Sequence, residues 1–342
     1  MKFDASLLVH DLEQIPALAR FADETGFDGI WTFETAHEPF LPLVLAAEHS
    51  HRLSLGTSIA VAFARSPAIL ASISWDLARF SKGRFILGLG TQVKGHNERR
   101  FGVKWDKPVE KMREVILAVR AIWDCWQNKT RLNFQGVYFK LNLMTPFFSP
   151  EPHEYHRIPI FIAGVNRRMC QLGGELCEGF HVHPLHSERY IRDVVLPNVE
   201  QGLLKAGRNR QDIELSSSLF VIPTDDAEEA ARYEAEVRQQ ISFYASTPPY
   251  RPVFELEGWG EVADQLKAFA AQGRWVEMPA LITDEMLDLL VLRGSWAELP
   301  GKILKKYSGL LDRVSYYFPV VPGEDEDGWR ATVAGFRRQQ NS

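Results

Sequence analysis

The sequence predicts an α/β protein in which eight parallel strands close into a (β/α)₈ barrel. Short β-rich runs alternate with longer helical runs along most of the chain, which is typical of parallel strands joined by right-handed crossovers. Eight such strands are found, enough to close a barrel. No G-x-G-x-x-G follows the first strand, so the main sequence signal of a Rossmann dinucleotide fold is missing.

The predicted strands share a short length and flanking turn residues. They are Phe3–Val9, Asp28–Phe33, Leu53–Ala62, Arg84–Leu89, Ile160–Ala163, Gly179–His183, Glu214–Ile222 and Arg313–Phe318. A run with helical spacing of apolar residues follows each of the first seven. These runs are Leu12–Glu24, Leu41–His49, Pro67–Phe80, Lys107–Trp126, Arg167–Leu176, Glu188–Ala206 and Ala227–Ala245. Thr25-Gly26 is expected to stop the first helix, and Ser66-Pro67 places an N-cap and a proline at the start of the third.

Two insertions are expected at the C-terminal mouth of the barrel, within one domain over residues 1–342. The first lies near residues 130–158, with a small hairpin over Leu132–Leu141 that turns at Gln135-Gly136. An irregular, proline-rich stretch, Thr145–Pro159, follows it. The second covers residues 246–300 and is expected to contain a helical pair.

Composition excludes several classes of function. The chain is 45% hydrophobic and 24% charged, as in an average soluble globular protein. Its net charge is −5 and no basic stripe appears, so we expect no nucleic-acid partner. The 3 cysteines show no paired spacing, which argues against a disulfide scaffold. The N-terminal stretch lacks the apolar run of a signal peptide, and no uncharged stretch approaches about 18 residues, so we expect a cytoplasmic protein without membrane contact.

Active sites in such barrels lie just past the strands, so residues at those positions are the first candidates. Glu34 and His37 follow the second strand and can serve as an acid/base pair, or can be solvated residues of a helix-entry loop. Small residues surround the end of the third strand and permit a flat ligand to approach. Arg65 beyond them can hold a phosphate or pair with a neighbouring helix.

The fourth and fifth strands end in glycine-containing turns. The glycines of Gly88–Gln92 allow backbone contact with a ring system. Ala163-Gly164-Val165-Asn166 opens a helix whose free N–H groups can bind phosphate, or it is an ordinary tight turn.

A group of histidines follows the sixth strand. His181 and His183 stand two apart in a strand, so both can face the barrel interior, and His186 lies nearby. Imidazoles in this arrangement can bind zinc, as in barrel hydrolases, or can line a cofactor or substrate pocket. We favour the pocket and expect no metal, because no further Asp or Cys falls at the expected strand ends.

Several segments, in chain order, carry a family resemblance. They are Gly26–Trp31, Leu55–Ile59, Leu77–Gly90, Gly174-Glu175 and Glu178-Gly179. The third, of the form L-x-x-x-S-x-G-R-x-x-L-G-x-G, is the most specific. Together they resemble the luciferase-like monooxygenase superfamily, and within it the class of F420-dependent oxidoreductases. Segments Thr91–Gly102, Phe180–Pro184 and Tyr244–Val253 resemble one subgroup of that class.

The resemblance implies a bacterial-luciferase-like barrel that holds the deazaflavin F420, or alternatively FMN, at its mouth. It implies a non-prolyl cis peptide bond between Ser58 and Ile59, behind the ring. The residues implied beside the ring are Glu34, Val61, Thr91 and His96, and those implied to bind the phosphate of the tail are Ala163, Gly164, Val165 and Asn166. We expect Thr91, Gln92 and His96 to hydrogen-bond the polar edge of the ring.

The chain departs from the best-understood F420 dehydrogenases at two positions. Their Asp-His pair after the second strand is replaced by Glu34-Thr35, with a histidine delayed to His37. Their general-base glutamate after the fourth strand is replaced by Val93. The resemblance therefore does not imply the sugar-phosphate dehydrogenase activity.

We expect hydride transfer between F420 C5 and a small organic substrate, with His37 or Glu34 handling the accompanying proton. Tyr244, Tyr250 and Arg251 are expected in a lid over the mouth, or in the contact of a homodimer. The alternatives are an FMN-dependent monooxygenase supplied by a separate reductase, a zinc hydrolase built on His181 and His183, and a barrel that stores or senses the cofactor without catalysis.

Overall fold

Eight parallel strands close into a barrel in the computed structural model, which describes residues 1–8 and 11–340. The barrel strands are β1 (Lys2–Leu7), β2 (Gly29–Thr32), β3 (Ser54–Thr57) extended by β4 (Ala60–Val61), β5 (Phe85–Gly90), β8 (Ile160–Gly164), β9 (Gly179–Val182), β10 (Glu214–Leu219) and β13 (Arg313–Tyr316). The strand β1 pairs with both β2 and β13, and β3 pairs with β5, so the sheet has no free edge. The predicted (β/α)₈ fold is confirmed. Val9, placed at the end of the first predicted strand, lies outside the described residues.

Helices cover the outside of the barrel, and shorter strands lie beyond it. The helices are α1 (Ile15–Thr25), α2 (Leu41–Glu48), α3 (Pro67–Phe80), α4 (Lys94–Arg99), α5 (Pro108–Asn128), α6 (Arg167–Leu176), α7 (Glu188–Tyr190), α8 (Leu196–Lys205), α9 (Ala227–Ala245), α10 (Arg251–Leu256), α11 (Gly260–Ala271), α12 (Asp284–Leu290), α13 (Leu299–Tyr307) and α14 (Glu326–Gln340). A π-helical turn, Ile191–Val195, joins α7 to α8. The shorter strands are β6 (Phe134–Gln135), β7 (Lys140–Leu141), β11 (Val221–Pro223) and β12 (Leu292–Gly294).

Both predicted helix boundary signals act as expected. Gly26 ends α1 in the left-handed region, at φ 101°, and its N–H donates to the carbonyl of Ala22. The Ser66 hydroxyl accepts from the N–H of Ile69 at 3.3 Å, directly before Pro67. These local signals fix where α1 ends and where α3 begins.

Two strand predictions were too long. The predicted strand Leu53–Ala62 is interrupted because the Ser58–Ile59 peptide bond is cis and breaks the ladder between β3 and β4. The predicted strand Glu214–Ile222 breaks at Phe220, after which β11 leaves the barrel and pairs with β12 of the second insertion. The hairpin turn is also displaced, since Gln135 pairs with Lys140 and the turn lies between them.

Several helices were not predicted. The short helix α4 contains a glycine, a histidine and an asparagine, which are weak helix formers. Residues 246–300 hold the α-helices α10, α11 and α12, the start of α13, two 3-10 turns and the strand β12, more than the expected helical pair. The helix α14 follows β13 and completes the eighth strand–helix unit. The extent of the domain and of its insertions stays a prediction.

The barrel interior is packed and contains a buried ion pair. Trp31, Ile86 and Phe161 form a hydrophobic cluster separate from the main core. Beside them, Arg313 donates to both oxygens of Asp4, at 2.9 Å each, and both side chains are 1% exposed. The indole N–H of Trp31 also donates to Asp4, at 2.8 Å. This packed layer closes the barrel beneath its mouth.

Within the described ranges, we find no helix with the length and apolar character needed to cross a bilayer.

Candidate active site

One large cavity opens at the carboxyl ends of the barrel strands. Its volume is about 1380 Å³, above the roughly 300–1,000 Å³ typical of a pocket for one small ligand. All eight barrel strands or the loops that follow them contribute to its wall. Most of the residues that sequence analysis selected at strand ends lie in that wall, namely Glu34, Ser58, Ile59, Thr91, Gln92, His96, Ala163, Gly164, Val165, Asn166, Tyr244 and Tyr250.

The wall at the third strand is a bulge. The Ser58–Ile59 bond is cis, as the family resemblance implied, and the Ser58 N–H donates to the Thr32 carbonyl at 2.7 Å. The side chain of Ile59 packs against the bare backbone of Gly90, where an added Cβ would lie 2.5 Å from Ile59 Cγ1. The bulge and Gly90 therefore form one close-packed apolar surface of the cavity.

Glu34 supports this bulge. Its carboxylate accepts from the Val61 N–H and from the Arg65 guanidinium, both at 2.6 Å. The side chain is 6% exposed, and Arg65 also reaches Glu38 at 3.2 Å. A carboxylate held by two short bonds of this kind is suited to positioning the backbone. Arg65 was expected either to hold a phosphate or to pair with a neighbouring helix. The structure shows it paired with Glu34 and Glu38.

The loop after the fourth strand is tied down by a buried asparagine. The Asn97 amide donates to the carbonyl of Thr91 at 2.8 Å and to that of Val93 at 3.1 Å. The Gln92 side-chain oxygen accepts from the Val93 N–H at 3.0 Å. The loop then enters α4, which places His96 at the exposed rim of the cavity.

The turn after the fifth strand leads directly into α6. The Asn166 side chain caps this helix by accepting from the Met169 N–H at 3.2 Å. The Val165 carbonyl accepts from the hydroxyl of the buried Tyr190 at 2.8 Å, which fixes the turn. The turn lines the cavity, so the positive end of the helix dipole faces it.

The opposite side of the cavity is aromatic. His183 stacks on Tyr250 with ring centroids 4.0 Å apart and meets the edge of Tyr244 at 4.6 Å. The hydroxyl of Tyr244 lies 2.7 Å from that of Tyr317. His183, Tyr250 and Tyr244 were predicted as pocket or lid residues, whereas Tyr317 was not predicted.

The histidines do not gather into a metal site. His181 Nδ1 lies 2.6 Å from the Ser216 hydroxyl, and His186 Nε2 lies 3.0 Å from the Ser217 hydroxyl. Burial lowers the pKa of His181, His183 and His186 to about 3 each, so all three are neutral at pH 7. Among residues 1–8 and 11–340, no three His, Cys, Asp or Glu side chains are grouped so that they could hold a metal ion. The geometry gives the zinc hydrolase no support.

Comparison with known proteins assigns the fold to a family. The model of the family described as luciferase-like monooxygenase matches residues 3–313. The chain belongs to the luciferase-like monooxygenase family.

Proteins with similar sequences or structures come from Mycobacterium tuberculosis, Archaeoglobus fulgidus and Methanopyrus kandleri. An uncharacterized protein of Mycobacterium tuberculosis (strain H37Rv) is 43% identical over 339 residues, covering 99% of this chain and 98% of its own. The 5,10-methylenetetrahydromethanopterin reductase of Archaeoglobus fulgidus is 28% identical over 299 residues, covering 85% and 84%. The structure of the coenzyme F420 dependent tetrahydromethanopterin reductase of Methanopyrus kandleri superposes with a TM-score of 0.81 at 20% identity, covering 99% of each chain.

Three predicted site residues lie away from the cavity wall. His37 is exposed, and the described residues that line the cavity do not include it. Val61 is fully buried behind the wall, where it pairs with Gly90. Arg251 binds Asp264 at 2.8 Å and also pairs with Glu255, so it supports α10 instead of facing the cavity. The paths of these loops are set by packing, which the sequence pattern does not encode.

Other residues of the site were missed. Asn97, Tyr317 and the serines Ser216, Ser217 and Ser218 all hold or line the cavity wall. The three serines form an unbroken run in a predicted barrel strand, where alternate positions face the interior, and that pattern could have revealed them. Tyr317 lies at the carboxyl end of the eighth predicted strand, Arg313–Phe318, and that position could have revealed it, although its bond to Tyr244 could not be read from the sequence.

Proposed function

We propose that this protein is an F420-dependent oxidoreductase that transfers a hydride between the deazaflavin C5 and a small organic substrate. The observation that carries the proposal is the apolar wall of Ser58, Ile59 and Gly90 beside a helix N-terminus in one cavity. A flat ring fits the first feature and a phosphate fits the second. The family membership and the two reductases, one of which is described as coenzyme F420 dependent, further support it.

The residues around the cavity fit such a cofactor. We propose that Ser58 and Ile59 back one face of the ring, and that Thr91, Gln92 and His96 contact its polar edge. The backbone at Ala163, Gly164, Val165 and Asn166 would bind the phosphate at the start of α6. A cavity of about 1380 Å³ leaves room for a substrate beside the ring.

When bound, the deazaflavin supplies or accepts the hydride at C5. The protein binds and orients both partners and provides the accompanying proton. Glu34 has a positioning role in this proposal, because its carboxylate holds the Val61 N–H and Arg65. His37 lies outside the cavity wall and is given no role. We therefore assign proton donation to residues of the cavity wall opposite Glu34.

The cofactor choice is tested by titrating the cofactor-free protein with F420 and with FMN, following the fluorescence of each. We expect F420 to bind at least tenfold more tightly than FMN, a difference of about 1.4 kcal/mol. Tight FMN binding without F420 binding would reject the proposal and favour the flavin-dependent monooxygenase, since that activity also fits the family.

A further inference from the structure

The cavity has two chemically different halves. The half that follows strands β2 to β8 includes Lys94 and Arg100, so it suits an anionic tail. The half that follows β9, β10 and β13 is lined by aromatic rings, hydroxyls, aliphatic side chains and the amides of Gln239 and Gln240. Among the described lining residues of this second half, the charged one is Glu236, which is exposed on α9. A substrate bound there meets neutral groups.

His183 presents one hydrogen-bond donor to this half. Its Nδ1 accepts from the Leu185 N–H at 3.1 Å, and burial lowers its pKa to about 3. A neutral ring that accepts at Nδ1 carries its proton at Nε2. Tyr250 covers one face of the ring and Tyr244 meets its edge, which fixes the orientation of the imidazole. The Nε2–H is therefore a fixed donor in the cavity wall.

Tyr244 and Tyr317 present a second donor. Their hydroxyls are 2.7 Å apart, and burial raises the pKa of both, so both are neutral phenols at pH 7. A bond between two hydroxyls uses one of their two protons. The side chain of Gln240 also hydrogen-bonds Tyr244, in a contact that lowers the pKa of the phenol, as donation from the amide N–H does. The second hydroxyl proton therefore remains available to a third atom. Both side chains are half-buried and line the cavity.

We propose that His183, Tyr244 and Tyr317 form a donor subsite that binds the carbonyl oxygen of an uncharged substrate. A carbonyl oxygen has two acceptor lone pairs and satisfies both donors, whereas an ammonium group, which has no lone pair, would leave them without a partner. An anionic substrate would find no cationic partner among these three residues. This inference rests on the proposed function and narrows its substrate class.

The same subsite also supplies the proton that reduction of a carbonyl requires. In the reducing direction, a hydride that the bound deazaflavin would supply adds to the carbonyl carbon and forms a new C–H bond there. The electron pair of the C=O π bond moves to the oxygen, which takes a proton from the tyrosine pair. The resulting phenolate regains its proton from solvent, and the Nε2–H of His183 stabilises the charge that develops on oxygen. The reverse reaction oxidises the alcohol by the same path.

The test uses three probes of similar shape. Acetophenone carries a carbonyl, ethylbenzene lacks an acceptor and benzoate is anionic. Infrared spectra of bound ¹³C-carbonyl acetophenone report donation directly, because a hydrogen bond lowers the frequency of the carbonyl stretch. We expect a lowered frequency, and affinity for acetophenone about fivefold or more above that for either other probe.

Two variants remove the donors while keeping the rings. His183→Phe retains an aromatic ring against Tyr250, and Tyr244→Phe/Tyr317→Phe removes both hydroxyls. Each should raise the acetophenone Kd about fivefold and move the carbonyl band back towards its free frequency. Tyr316→Phe is the matched control, because Tyr316 directly precedes Tyr317 but is not among the described residues that line the cavity, and its hydroxyl lies 3.4 Å from that of Thr332. This control should change neither the acetophenone Kd nor the frequency of the carbonyl band.

The same proteins are titrated with F420, so that two failures can be told apart. A lowered carbonyl frequency without F420 binding would leave the subsite standing and reject the proposed function. Normal F420 binding with an unshifted band, or with a band that the tyrosine double variant leaves unchanged, would reject the subsite alone.

Discussion

Asp4→Ala is expected to lower the free energy of unfolding by about 3–5 kcal/mol. Asp4 accepts two hydrogen bonds from Arg313 and one from Trp31, and the ion pair is 1% exposed. Among the described residues, removing the carboxylate leaves the buried guanidinium hydrogen-bonded to one carboxylate, that of the partly exposed Glu214 at 3.1 Å. Urea denaturation followed by circular dichroism measures the loss.

A matched control is Asp264→Ala. Asp264 is also bound to an arginine at 2.8 Å, but its side chain is 59% exposed, so the loss should stay below about 1 kcal/mol. The double variant Asp4→Leu/Arg313→Met removes both charges and should be less destabilised than Asp4→Ala. Equal losses for Asp4→Ala and Asp264→Ala would show that burial of the pair contributes nothing.

Gly90→Val is expected to weaken F420 binding at least a hundredfold, about 2.7 kcal/mol. A Cβ at Gly90 would lie 2.5 Å from Cγ1 and 2.6 Å from Cδ1 of Ile59, closer than atoms can pack. The side chain of Ile59 must move, and since both residues line the cavity, it moves into the space proposed for the ring. Fluorescence titration of the variant with F420 measures the effect.

Gly95→Ala provides the comparison, a glycine substitution in the neighbouring helix α4. The nearest atom to an added Cβ there is the flexible end of Arg99, at 3.3 Å, which can shift. We expect its affinity for F420 to stay within about twofold of the original. Wild-type affinity in Gly90→Val would mean that the ring does not lie against Ile59.

The barrel could be predicted from the sequence because its signals are local. Hydrophobic periodicity located the eight strands, and capping residues such as Ser66 located helix starts. The errors arose where contacts between residues distant in sequence determine where a strand ends. The strand at Phe220 breaks because β11 pairs with β12, whose residues begin at Leu292. The hydrophobic pattern of one strand does not show which distant strand will pair with it.

The candidate site was predictable to the extent that it follows the strand ends. Glu34, Thr91 and Asn166 lie in the cavity wall because parallel strands bring their carboxyl ends together. The cis bond after Ser58 came from the family resemblance and not from local pattern. His37 was misplaced because the path of its loop depends on packing between elements.

The central claim is that the mouth of this barrel holds a deazaflavin between the third-strand bulge and the start of α6. A crystal structure of the protein soaked with F420 tests this most directly. We expect ring density against Ile59 and Gly90, and the phosphate within hydrogen-bond distance of backbone N–H groups at Gly164 to Asn166. Ring density elsewhere, or an empty cavity at saturating F420, would contradict the account.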